Sequence, residues 1–115
     1  MFQPKWIIEL LEIPVMLADR FALPQAQIAE ICRRYQVREL SVFGSAVRGE
    51  LRPDSDVDLL VDFHPDARPG LLGLSAMMRE LSSAVGRPVD LVVKPALKPF
   101  IRPHVLAEAQ IIYAA

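Results

Sequence analysis

At 115 residues, of which 52% are hydrophobic and 23% charged, the chain has the size and composition of one globular domain with a single packed core. A formal net charge of -1 argues against binding along a nucleic-acid backbone, which needs a clustered excess of Lys and Arg. The single cysteine, Cys32, cannot form an intramolecular disulfide, and no leader-like start is read, so a reducing cytoplasm is expected.

The first apolar stretch, Trp6 to Leu17, is broken by Glu9, Glu12 and Pro14 and falls short of the roughly 20 apolar residues that a membrane span requires. Residues 1–22 read as a helical extension. Its apolar group, Trp6, Ile7, Leu10 and Leu11 with Ile13, Val15 and Met16, either folds onto the chain's own core or faces a partner. A fresh helix is expected from Pro24 to about Gln36, with Ile28, Ile31, Cys32 and Tyr35 as its apolar stripe. Cys32 on that stripe reads as a buried small hydrophobe rather than a reactive thiol.

Arg38 to Phe43 reads as a strand, stopped by Gly44 and followed by a single helical turn from Ser45 to Arg48. Turn residues Pro53-Asp54-Ser55 precede a second strand, Asp56 to Phe63, with Val57, Leu59, Val61 and Phe63 on one face. Leu71, Leu74, Met78, Leu81 and Val85 describe an amphipathic helix that ends at Gly86, and Met77 and Met78 read as core filler. A third strand, Val89 to Val93, a helix from Pro103 to Ala109 and a short strand from Ile111 to Tyr113 complete the chain. Alternating strands and helices predict an α/β layered domain with helices over one or both faces of a small sheet.

The chemistry concentrates at the strand ends. Asp56 and Asp58, two residues apart, point to the same side of a strand. Carboxylates that close repel unless cations neutralise them, and their hard oxygens suit magnesium or manganese. Asp90 joins the same face if its strand neighbours the second in register. Three carboxylates can hold two metal ions about 4 Å apart, the arrangement of in-line nucleotidyl transfer. Gly44-Ser45 at a strand end supplies N–H groups and a hydroxyl for phosphate, and Arg48, one helical turn on, reaches toward the same place. No Gly-Lys-Ser or Gly-Lys-Thr follows, so this is not a P-loop. His64 and His104 take loop and cap roles and lack the spacing of a zinc site.

Gly44-Ser45, ten residues, then Asp56-Val57-Asp58 resembles the signature of the nucleotidyltransferase superfamily that includes DNA polymerase β. The run VFGSAVRGELRPDSDVDLLVDF, then GRPVDLVV and LKPFIRPHVLAEAQIIYAA, resembles minimal nucleotidyltransferase antitoxins from Leu23 onward. The resemblance implies a polymerase β-like α+β fold with a small mixed sheet, and a minimal nucleotidyltransferase domain over residues 23–115. It implies ATP and magnesium, with Gly44 and Ser45 on the triphosphate, where Arg48 is placed by its helical spacing alone, and with Asp56, Asp58 and Asp90 as metal-binding and catalytic acids. It also implies a HEPN-domain RNase toxin as partner, whose tyrosine hydroxyl accepts AMP. Two other readings stand beside it, an antitoxin that neutralises by binding alone and a small-molecule nucleotidyltransferase. Oligomeric state is left open.

Overall fold

The computed structural model describes residues 23–115; the helical extension expected over residues 1–22, with its apolar group, lies outside the described residues. In chain order the elements are α1 (Gln25–Arg34), β1 (Val37–Phe43), α2 (Ser45–Arg48), β2 (Val57–Phe63), α3 (Gly70–Val85), β3 (Val89–Val93), a 3-10 turn (Lys94–Ala96), α4 (Arg102–Glu108) and β4 (Gln110–Ala114). Among the described residues the expected elements are present, with ends moved by one or two residues. Asp56 stands just ahead of β2 rather than within it, because the Pro53-Asp54 turn leaves the chain extended but unpaired until Val57, whose N–H donates to the Pro88 carbonyl at 2.9 Å.

The strands form a four-stranded sheet in the order β3-β2-β1-β4. β1 runs antiparallel to both β2 and β4, whereas β2 and β3 are parallel. The parallel pair follows from the connection, since α3 provides the crossover that parallel neighbours need. The sheet is therefore mixed, as the resemblance implied.

Alternation along the strands divides the side chains between two layers. Val37, Leu40, Val42, Val57, Leu59, Val61 and Val89 face α1 and α3 and meet Ile28, Ile31, Cys32, Met77 and Leu81 in the main core. Burying each Leu- or Ile-sized side chain there contributes about 1.5–3 kcal/mol. On the opposite layer a smaller cluster gathers Leu60, Leu97 and Val105, with Phe43 and Val92 packed against it. Asp58 of β2 and Asp90 of β3 lie on this second layer, beside α4.

One stripe was misplaced. Met77 is fully buried and Leu81 and Val85 follow it into the core, whereas Leu71 is 80% exposed. The helical stripe runs through Met77, Leu81 and Val85 at i, i+4 and i+8, so Leu71 falls furthest from its axis and Met78 at its margin. Gly86 ends α3 as expected, at φ 80°, with its N–H donating to the Ser82 carbonyl.

Candidate active site

β1 delivers the chain to Gly44 at its carboxyl end, and β2 begins beside it, with Phe43 the register partner of Asp58. Gly44 takes φ 75°, which L side chains rarely adopt. A Cβ there would also collide with the Asp58 carboxylate, coming within 3.2 Å of its Cγ. Glycine thus meets two requirements at once, a left-handed turn and the close approach of backbone to the acid.

Asp58 and Asp90 are register partners across the parallel β2–β3 pair, so both project from the same face. Asp58 is half-buried and Asp90 and Asp56 are exposed. The loop carrying Asp56 is tied to the start of β3: Arg87 Nη1 donates to the Arg52 carbonyl at 2.7 Å, and the Arg52 N–H donates to Ser55 Oγ at 2.9 Å. Burial raises the Asp58 carboxyl above the usual carboxylate range, with the charges of Asp90 and Asp56 adding to the rise and Arg48 opposing it. Among the described residues no cation stands within salt-bridge distance of Asp56, Asp58 or Asp90.

The donor set has the chemistry for a hard divalent cation: three carboxylates, two of them paired by strand register, whose mutual repulsion Arg48 offsets only in part. As the side chains stand, no group of three or more Asp, Glu, His or Cys among the described residues is tight enough to enclose an ion.

Ser45 opens α2 and Arg48 closes it, the single helical turn after Gly44 that the sequence predicted. Arg48 is paired with carboxylates rather than free. Its Nε donates to Glu50 at 2.9 Å and its Nη1 donates to Glu108 at 3.0 Å. Glu108 also accepts the Gly44 N–H at 2.9 Å and contributes to raising Asp58. The sequence reading missed Glu108. It lies 64 positions from Gly44, and no local spacing marks it out; only the placement of α4 over this layer brings it in.

A shallow depression of about 300 Å³ between α1 and α3, lined by Glu30, Arg34 and Glu80 among others, lies away from the acids, and its charged groups pair with one another. No described helix is long and apolar enough to cross a membrane.

Residues 25–112 match the nucleotidyltransferase domain family. The protein adenylyltransferase MntA of Thermococcus cleftensis is 48% identical over 79 residues, covering 69% of this chain and 78% of its own. A solved minimal nucleotidyltransferase superposes with a TM-score of 0.63 at 38% identity, covering 74% of this chain and 85% of that one. The fold is shared as well with a toxin–antitoxin complex solved with AMP-PNP, at a TM-score of 0.66, 20% identity and coverage of 81% and 75%. A mixed sheet presenting paired acids next to a Gly-Ser turn defines a nucleotidyl-transfer fold. The chain belongs to the nucleotidyltransferase domain family.

Proposed function

We propose that this chain is an antitoxin that transfers AMP from ATP to a hydroxyl, a tyrosine's, on a HEPN-domain RNase toxin and thereby silences it, with residues 23–115 as the transferase domain. The observation that carries the reading is the register pairing of Asp58 with Asp90 beside the Gly44-Ser45 turn, in a chain similar to a protein adenylyltransferase. The toxin–antitoxin complex with AMP-PNP, which has the same fold, supports both the partner class and the nucleotide. The reaction belongs in the cytoplasm, where ATP and the toxin's RNA targets are found.

In this reading Gly44, Ser45 and Arg48 hold the triphosphate, and Asp56, Asp58 and Asp90 hold two magnesium ions, with manganese an acceptable substitute. The ions, when bound, neutralise charge on the α-phosphoryl group and the departing pyrophosphate. The acceptor oxygen attacks the α-phosphorus in line, and an O–P bond forms as the bond from the α-phosphorus to the bridging oxygen breaks. Pyrophosphate leaves with that electron pair. The hydroxyl proton passes to Asp90, the exposed acid of the register pair. Exposure of Arg48, Asp56 and Asp90 leaves the site open to a macromolecular acceptor.

The test is to incubate the full chain with ATP, magnesium and the partner toxin and to follow the toxin by intact mass. Added AMP, lost toxin RNase activity and loss of both effects in Asp56→Asn/Asp58→Asn are expected. Neutralisation without a mass gain would leave binding alone as the mechanism.

A further inference from the structure

Two of the three residues assigned above to the triphosphate are already bound to an anion of the chain itself. The Gly44 N–H donates to Glu108 Oε1 at 2.9 Å, and Arg48 Nη1 donates to Oε1 at 3.0 Å and to Oε2 at 3.1 Å. A carboxylate offers the same acceptor as two oxygens of a phosphate, and both make charge-assisted hydrogen bonds to N–H groups and guanidinium. The contact spans the fold, joining the last residue of α4 to the turn after β1.

Helix stability does not explain the placement of Glu108. An anion in the last turn of a helix is disfavoured by the helix dipole, and Glu108 ends α4. Nor does charge balance, because Glu108 adds a fourth acid to a cluster already repelling itself around Asp58. What the carboxylate gains is the pair of donors at the Gly44 turn.

We propose that Glu108 is an internal stand-in for the triphosphate: its carboxylate occupies the Gly44 N–H and the Arg48 guanidinium until nucleotide arrives, and nucleotide must displace it. This rests on the reading that Gly44 and Arg48 hold phosphate. Glu108 then sets an upper limit on nucleotide affinity, because part of every phosphate contact replaces one the protein already makes. It is a positioning residue and touches no reacting atom.

The experiment is calorimetric titration of AMP-PNP with magnesium into the full chain and into Glu108→Gln and Glu108→Asp. Glutamine keeps the length and an oxygen acceptor but removes the charge; aspartate keeps the charge but falls short of the donors. Both variants should bind roughly tenfold more tightly than the unaltered chain, which corresponds to about 1.4 kcal/mol. Introduced into Arg48→Met, Glu108→Gln should bring a smaller gain, since one of the donors that it releases is gone. A residue with a merely structural role would give no gain in affinity. Two variants guard against one that fails to fold. Binding by the unaltered chain that is unchanged or weakened in the folded variants overturns the inference and leaves the nucleotide site standing. Absence of binding by all three chains overturns both.

Discussion

Asp58 and Asp90 face the same side of the sheet as register partners on adjacent parallel strands, with Asp56 close enough to add its charge to theirs. Such a pair costs stability, because burial and the neighbouring charge of Asp90 both oppose ionisation of Asp58. A domain this small has about 5–15 kcal/mol of total stability. The cost is incurred on the one layer where Gly44 also takes a left-handed turn and presses against Asp58. Strain and like-charge repulsion concentrated in one place are the mark of a site kept for chemistry.

Replacing Asp58 with Asn should therefore separate fold from function. The substitution removes a repelling charge, so the thermal midpoint without metal should be equal to or above that of the unaltered chain. AMP transfer should fall on the order of 10³-fold, the several kcal/mol that metal-ion charge stabilisation supplies. Asp90→Asn should behave likewise. Magnesium should raise the midpoint of the unaltered chain and leave both variants unmoved, which differential scanning calorimetry with and without a chelator would measure. A fall in midpoint on removing either charge would show that the acids support the fold instead.

Gly44→Ala and Gly70→Ala provide a matched pair. Both glycines have positive φ, 75° and 66°, but an added Cβ at Gly70 meets nothing within 4 Å whereas at Gly44 it meets the Asp58 carboxylate. Gly70→Ala should cost only the left-handed penalty, about 1–2 kcal/mol. Gly44→Ala should cost more in urea denaturation and abolish transfer, because relieving the collision means moving Asp58 away from Asp90. Equal costs would show that Asp58 swings aside freely.

The strand pattern and the Gly-Ser to Asp-Val-Asp spacing made the sheet and most of the site legible, because period-two alternation and a fixed loop length are local properties. Placement of Asp90 beside Asp58 depended on which strands are neighbours, and α3 as a crossover settles that only in three dimensions. Glu108 was illegible for the same reason at greater range. Its partner Gly44 is 64 residues away, and nothing in LAEAQ announces a contact with a turn on another layer. Leu71 shows the opposite failing: it shares the helical spacing but lies off the axis of the stripe through Met77, Leu81 and Val85, and stands in solvent.

Cys32 should be chemically silent while the chain is folded. It is fully buried in the main core, and burial pushes its thiol up to about 12. Only the thiolate reacts at a useful rate, so iodoacetamide at neutral pH should label it no faster than the chain unfolds. Intact-mass time courses with and without denaturant check this. Rapid labelling of the native chain would place Cys32 outside the core.

The contact between Glu80 and the end of α1 should make the packing of α1 against α3 sensitive to acid. Glu80 accepts from Arg34 Nη2 at 2.5 Å and from the Tyr35 hydroxyl, and these bonds hold its carboxyl below the usual range. A carboxyl lowered by folding contributes stability that is present above its unfolded value and lost as pH falls through its folded value. The side chains are partly solvent-exposed, so screening keeps the contribution modest and lets salt reduce it further. Glu80→Gln should lower the thermal midpoint by a few degrees at neutral pH, and the gap to the unaltered chain should close as pH drops below the usual carboxylate range. Tyr35→Phe should show part of the same loss, since it removes one of the two donors. Midpoints measured from acid to neutral pH decide the matter, and a gap that stayed constant or widened in acid would mean that Glu80 acts through packing rather than charge.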